Sequence, residues 1–538
     1  MTNKINKQYH KLGIITLMTL TFFTFLSCKS EDNAQVVSSG ASVKVNIIAA
    51  ESESEIITRA DNKTSNTVPV GSTTQTMNQP LGADHSLDIS LTSVSSLTKQ
   101  ANAGANSAGN KAATVQQPLA VGTKYQLLIY DNVGKFVMKQ TYTYGQEATA
   151  AAIKLDAGKA YTFIAVSTNS TSSVPTVADE NNLSTAVVAN INTELMYFKS
   201  TVNLKEGNND LNVVLRHQYS EIKTTLHMDA NTTGNITALV NPVFNTTHSS
   251  ATLKLSDGVL TYNGIIPTGK SIVFPTLGTG TRTITSNSTL VIHPTTSTAV
   301  LNFGSLTIDR ETKTNVSVSN LKISPGHRYD LDLTLKTCTQ NVSGANGLDW
   351  NYAYTTGDCT SGNTGCKPGI TKDGIFYANG KTISKTFTAP SADYGFVLDL
   401  TSLDNSFNME VNNVKMATKE IQFQSNAMSP QNIQFADGSK YEGINTEGGA
   451  NIPAVYNMTG TAANPVVKIV ISRFGEVTLF GSKKSGGPLY PLVLMSGTTF
   501  NNFSWSGAGT NTVIVTQLID GKTTIKGTGA GKKKIACN

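Results

Sequence analysis

Charge is what this chain has least of. Of its 538 residues only 14% are Asp, Glu, Lys or Arg, against about a quarter in ordinary globular chains. Aromatics are scarce as well, at 7% with two tryptophans. The Glu-, Lys-, Leu- and Ala-rich profile of helical bundles is missing, which argues against an α-helical architecture. The net charge of +6 is small for this length, so a strongly basic nucleic-acid-binding face is not expected. Its densest concentration, Lys532-Lys533-Lys534, is too short to imply such a partner and reads as a solvated C-terminal turn. The seven histidines (His10, His85, His217, His227, His248, His293 and His327) all precede residue 337, and no two sit at metal-ligand spacing. A Ser-His-Asp or Cys-His centre in the last third is therefore excluded. No phosphate-cradling Gly-Lys-Ser/Thr loop joins a strand to a helix, and no cofactor or metal is expected. What is abundant is Thr, Ser, Asn and Gly, the composition of short strands with polar outer faces and many turns.

Long apolar runs are nearly absent too. The conspicuous one, Leu12 to Leu26, follows Lys4, Lys7 and Lys11. At about 15 residues it is shorter than the roughly 20 of a membrane-crossing helix, and it has the build of a secretory signal. It ends in Leu26-Ser27-Cys28, which resembles the lipobox of bacterial lipoproteins. That resemblance implies lipidation of Cys28, with the body held outside the cytoplasm on an outer-membrane lipid anchor. The next residues, Lys29-Ser30-Glu31-Asp32-Asn33, resemble the signal that sends some Gram-negative lipoproteins to the cell surface.

Cysteine usage agrees with export. Beyond Cys28 there are Cys338, Cys359, Cys366 and Cys537, an even number that reads as two disulfides in an oxidising compartment. Three connectivities are open. The preferred one joins Cys359 to Cys366 across a short loop and Cys338 to Cys537 across the last third. Zinc is the rival reading, but the spacings fit no common finger or ribbon and the region has no histidine.

Strand signals are clear in places. Tyr125-Gln126-Leu127-Leu128-Ile129-Tyr130 is turned by Asp131-Asn132-Val133-Gly134, and Phe136-Val137-Met138 begins the return. Leu155 runs into Asp156-Ala157-Gly158-Lys159, and Tyr161 to Ser167 follows as a buried strand ending at Asn169-Ser170. Residues 61–121 have little periodicity, and the Ala/Asn/Gly-rich stretch Ala101 to Ala113 within them reads as a surface loop. Leu211 to Leu215 alternates, and so does Ile222 to Leu226.

The Tyr125–Gly134 strand and turn, with the Leu155–Ser170 stretch behind it, resemble the first domain of fimbrillins, the lipoprotein precursors of fimbrial subunits. Ser324-Pro325-Gly326-His327-Arg328-Tyr329, followed by Leu331, Leu333 and Leu335, is similar to the strand that ends that family's second domain. The resemblance covers roughly residues 36–336. It implies an all-β chain of tandem β-sandwiches: two fimbrillin-like, transthyretin-type domains and a C-terminal sandwich or jelly roll. The expected division is 1–27 signal peptide, 28–42 tether, 43–216 first sandwich, 217–336 second sandwich and 337–538 disulfide-bearing C-terminal domain. Residues 337–538 exceed what shaft subunits carry and look like the addition found on accessory or tip subunits. The resemblance further implies other fimbrial subunits as partners and cleavage by an arginine-directed protease. Arg59, behind Ile56-Ile57-Thr58 and with no other Arg before Arg216, is the candidate position. An exposed Arg at a strand end is the alternative.

In the C-terminal domain, Ser402 to Asn408 reads as a polar loop between strands. Asp404, Asn405 and Asn408 are placed to ligate calcium or to hydrogen-bond sugar hydroxyls, or simply to cap a turn. Trp350 and Trp505 are either sugar-stacking faces or core anchors. The expected function is non-enzymatic adhesion to a glycan or protein ligand. The alternatives are a carbohydrate-binding lipoprotein that never polymerises, and a glycoside hydrolase using carboxylates among Asp399, Asp404, Glu410, Asp437 and Glu442.

Overall fold

A computed structural model describes residues 40–52, 73–94, 115–245, 247–342, 346–356, 368–390, 395–425, 429–445 and 452–537. Cys28, Arg59, Cys359 and Cys366 lie outside the described residues. The described chain is all-β, and its one helical turn is the 3-10 turn Glu147–Thr149. Its strands sort into three sandwich-like bodies.

The first body is built on an eight-stranded sheet in the order Val115–Gln117, Gly40–Ser52, Gly207–His217, Met196–Asn203, Ala160–Ser167, Lys124–Tyr130 and Phe136–Thr143, with Ile153–Asp156 also pairing to Gly40–Ser52. Lys124–Tyr130 and Ala160–Ser167 read as continuous apolar runs because both of their faces are covered. Tyr125, Leu127, Ile129, Tyr161 and Phe163 join one core cluster. Leu128, Tyr130, Ile164 and Val166 join another, against the four-stranded sheet that holds Val187–Ile191 and His248–Lys254.

The second body packs a sheet ordered Thr283–Thr285, Ser220–Met228, Arg328–Thr337, His85–Ser93 and Thr74–Pro80 against a smaller sheet centred on Thr296–Ile308. Leu331, Leu333 and Leu335 point into this core with Leu301, Phe303 and Val318, as their alternation predicts. Within 61–121, where the sequence shows little periodicity, two strands of this sheet are found, Thr74–Pro80 and His85–Ser93, while Ala101 to Ala113 lies outside the described residues. His85–Ser93 carries Leu87, Ile89 and Leu91 inward, with Asp88 and Ser90 turned out between them. Nor do the strands divide cleanly at 216/217. His85–Ser93 pairs with Arg328–Thr337 in the second body, while His248–Lys254 and Leu260–Ile265 belong to the first.

The third body packs an eight-stranded sheet, ordered Thr339–Asn341, Thr523–Lys534, Gly395–Leu403, Val467–Ser472, Val477–Ser482, Leu489–Leu494 and Ile433–Phe435, on a sheet of Thr382–Pro390, Thr510–Leu518 and Ser406–Val411. Phe387, Phe396, Phe407, Phe423 and Phe435 fill the space between them. The lysine cluster is no solvated turn: Lys532 to Lys534 end a strand flanked on both sides. Gly527 and Gly529 make that strand possible. A Cβ on Gly529 would lie 2.7 Å from the Phe396 ring, and one on Gly527 would lie 2.2 Å from the Asp399 carbonyl oxygen.

Cys338 is disulfide-bonded to Cys537, with Cα atoms 5.4 Å apart. The bond sits where the second and third bodies meet. Cys338 N–H donates to Asp84 O and Cys537 N–H to Ala83 O. Arg310 of the second body and Arg473 of the third both lie over the Phe474 ring, at 4.4 and 4.6 Å, and Arg310 reaches Glu476 at 2.6 Å.

Candidate functional site

Three places on this scaffold gather chemistry. The first is a pair of adjoining hollows of about 240 and 420 Å³ on the third body, sharing Asp404, Tyr456 and Lys522. The turn between Gly395–Leu403 and Ser406–Val411 brings Asp404 and Asn405 to their floor. Gln424, Asn445 and Asp520 line the smaller hollow, and Asn351, Asn457 and Lys526 the larger. The Lys522 ammonium lies 5.6 Å over the Tyr456 ring. Amides, carboxyls and ammoniums around an aromatic edge make a surface that exchanges hydrogen bonds with a polyhydroxylated ligand.

Asp404 is buried, 7% exposed. Its carboxyl accepts N–H bonds from Thr524 at 2.8 Å, from the Gln517 side chain at 2.7 Å and from Asn405. Burial pushes it up to about 7 against the pull of those backbone donors, and the charge of Glu420 adds to the rise. Burial likewise raises Glu420 to about 7, although its carboxylate accepts the Leu518 N–H at 2.7 Å. Asp404 thus ties three segments together under the groove. Asn405 also supports the loop, since its side-chain oxygen accepts the Gln424 N–H at 3.2 Å.

The other expected ligand residues are elsewhere. Asn408 is buried, its side chain donating to the Ala417 and Lys419 carbonyls and accepting from Met409 N–H. Trp350 is 4% exposed inside the core, so its indole offers no face to a sugar. Trp505 packs against the same core and donates from Nε1 to the Ser472 carbonyl at 2.7 Å. Both tryptophans are anchors, because the core of a low-aromatic chain needs large side chains to fill it. Tyr456, Lys522 and Asp520 lie on connecting segments with no local motif to mark them.

The second place is the strand Gly40–Ser52. It runs parallel to Gly207–His217, from Ala41 opposite Gly207 to Glu51 opposite Arg216. It buries Ala41, Val43, Val45 and Ala50 in one cluster with Leu211, Val213 and Leu215. Among the described residues, its other edge is paired only at its two ends, with Ile153–Asp156 and Val115–Gln117.

The third place is an ionic cluster between the second and third bodies. Asp84, His85 and Glu311 are the one group of metal-ligand types close together among the described residues. Their charge is already met by two ammoniums. Lys534 lies 2.5 Å from Glu311 and 3.3 Å from Asp84, and Lys313 lies 3.3 Å from Asp84. Burial alone would raise Asp84, but the hydrogen bond and charge of His85, with Lys534 and Lys313, hold it well below the usual carboxylate range. This is an interface lock.

No protein-family model matches the chain, and no curated protein does. Among solved structures it is similar to a candidate cell adhesion protein from Bacteroides fragilis, with 13% identity and a TM-score of 0.31 over 56% of this chain and 100% of that one. It is also similar to a fimbrial assembly protein from Parabacteroides distasonis (12% identity, TM-score 0.26, 40% and 88% covered). A candidate adhesin from Bacteroides ovatus is a third (10% identity, TM-score 0.27, 48% and 87% covered).

Proposed function

We propose that this chain is a cell-surface lipoprotein, anchored through Cys28, that serves as an accessory or tip subunit of a fimbria and adheres through its third body. The observation that carries the reading is the placement of Gly40–Ser52. This strand lies upstream of Arg59, so cleavage there would separate it covalently from everything downstream. Its departure would leave one backbone edge of Gly207–His217 without partners and uncover Leu211, Val213 and Leu215. An unpaired edge beside an apolar groove is what a neighbouring subunit's strand can complete, main chain to main chain. The Thr523–Lys534 strand, by contrast, is flanked on both sides and latched by Cys537, so it is committed to its own sheet. Accepting a strand while keeping that one suits a terminal or accessory position.

Adhesion is assigned to the groove around Tyr456 and Lys522, and a glycan is the ligand class its polar lining favours. Binding is preferred to hydrolysis because the Asp404 carboxyl is engaged by three protein donors. The same groove supports the second reading, a carbohydrate-binding lipoprotein that remains on its anchor. Treatment of the full chain with an arginine-specific protease separates the two. On the fimbrial reading the Gly40–Ser52 peptide is released, and the trimmed protein then joins fibres of shaft subunits. An intact N-terminus, or a trimmed protein that never enters a fibre, rejects it.

A further inference from the structure

The outer face of the third body's large sheet carries a buried lysine that the reading above does not use. Lys468 is 5% exposed. Around it on that face are Val397, Val470 and Phe480, and Ala230 of the second body closes over them. Asp399 is its cross-strand partner, with carboxylate and ammonium 2.5 Å apart. The loop that brings Ala230 also brings Asn231, whose side-chain oxygen accepts a hydrogen bond from Lys468 Nζ at 2.8 Å. A second ammonium, Lys532, is near enough that the charge of Lys468 adds to burial in holding it below its usual value.

A lysine amine, a carboxamide and a carboxylate have thus converged in a largely apolar seam. The hydrogen bond to Oδ1 seats the lysine nitrogen against the Asn231 carboxamide, the group it would attack. Asp399 stands beside the amine as a carboxylate able to take its proton.

We propose that Lys468 and Asn231 form an intramolecular isopeptide bond, with Asp399 as the proton carrier, welding the second body to the third. Asp399 takes a proton from the Lys468 ammonium, and the freed lone pair attacks Cγ of Asn231. The tetrahedral centre loses the second proton of the attacking nitrogen, Asp399 returns a proton to Nδ2, and the Cγ–Nδ2 bond breaks. One Nζ–Cγ amide forms and one ammonia leaves, taking up the remaining proton as ammonium. No oxidant, metal or cofactor is required. The bond would join residues far apart in sequence and stand beside Cys338–Cys537 at the same junction. It is independent of whether the chain enters a fibre.

Tandem mass spectrometry of a digest of the full chain tests this. The expected product is a branched peptide joining Lys468 to Asn231, one ammonia lighter than its two parts, with no tryptic cleavage after Lys468. Lys468→Arg, which keeps the ion pair with Asp399, restores the free Asn231 peptide, and Asp399→Asn does the same. Near-stoichiometric recovery of unlinked peptides from the unaltered chain overturns the proposal. Ammonia loss at Asn231 that survives Lys468→Arg also overturns it, because that marks a backbone succinimide. A branched peptide that persists in Asp399→Asn overturns the role given to Asp399.

Discussion

Replacing Cys338 and Cys537 together with serine opens a loop with a sequence separation of 199 residues. The folded ends should stay in place without the bond. Ile535 N–H donates to Cys338 O at 3.0 Å, and Cys338 and Cys537 each donate to the Ala83–Asp84 turn. The effect therefore falls on the unfolded chain, which gains the freedom that the cross-link denied it. Chain-entropy scaling for a loop of this length gives roughly 18 cal/mol/K, or about 5 kcal/mol at 25 °C, as the upper bound. For a body of this size that amounts to a fall in Tm on the order of 10 °C. Calorimetry or urea unfolding of the double-serine variant should show the transition of the third body lowered by about 3–5 kcal/mol, with the first body's transition unmoved. Mechanical unfolding gives a second reading. In the bonded chain, the roughly 700 Å of contour between the two cysteines should stay hidden when the chain is pulled by its ends. Unchanged unfolding in the double-serine variant, by both measures, would refute the reasoning.

The carboxyl of Asp404 links groove to pH. A raised folded-state value means that the folded chain holds this proton more tightly than the unfolded one, so its contribution falls as pH rises from about 4 through 7, by roughly 4 kcal/mol at most. The stability of the unaltered chain relative to Asp404→Asn should therefore grow as pH drops from about 8 to 5, and a constant difference would sink the assignment. Trp350→Ala should cost about 3–5 kcal/mol in urea unfolding, as a large core deletion does, a figure that a surface-stacking tryptophan would not reach. Lys522→Ala, at an exposed position on the groove, should weaken glycan-array binding while changing stability by less than about 0.5 kcal/mol. Gly475→Ala should fail to fold or lose several kcal/mol. Gly475 has φ of 80°, and an added Cβ would lie 1.8 Å from the Phe503 carbonyl oxygen.

Local patterns were readable wherever burial is one-sided or complete. Leu331, Leu333 and Leu335 announce an inward face, and Tyr125 to Tyr130 a strand, which is covered on both sides. Two strands escaped notice for different reasons. His85–Ser93 alternates plainly, but its Leu and Ile residues are embedded among serines and threonines that look like loop. Thr523–Lys534 is rich in glycine because Phe396 and the Asp399 backbone press against it, and glycine on its own signals a turn. Sheet membership could not be read at all. That His85–Ser93 joins the second body and His248–Lys254 the first depends on contacts far apart in sequence. The groove suffered likewise: Asp404 and Asn405 lie together in sequence, whereas Tyr456 and Lys522 reach them from separate connections.

The junction of the second and third bodies is where the proposed reading places the mechanical load. On the proposed reading, tension enters where a neighbour's strand lies along Gly207–His217 and leaves through a ligand held at the groove. Between those points the main chain passes once from the second body to the third, along Arg328–Thr337 into Cys338. Arg328–Thr337 is held parallel to Ser220–Met228 and antiparallel to His85–Ser93. Pulling it along its length loads all those hydrogen bonds in shear, so they resist together. Beyond Cys338 the load would fall on the entry to the third body, and there the disulfide divides it between that body's first strands and Thr523–Lys534. The salt bridges of Lys534 and Arg473 to Glu311 are too weak one by one to carry such a load. They set the angle between the bodies. Covalent links would keep that angle under force, and an isopeptide at Lys468 would add to the disulfide a bond between the two bodies themselves.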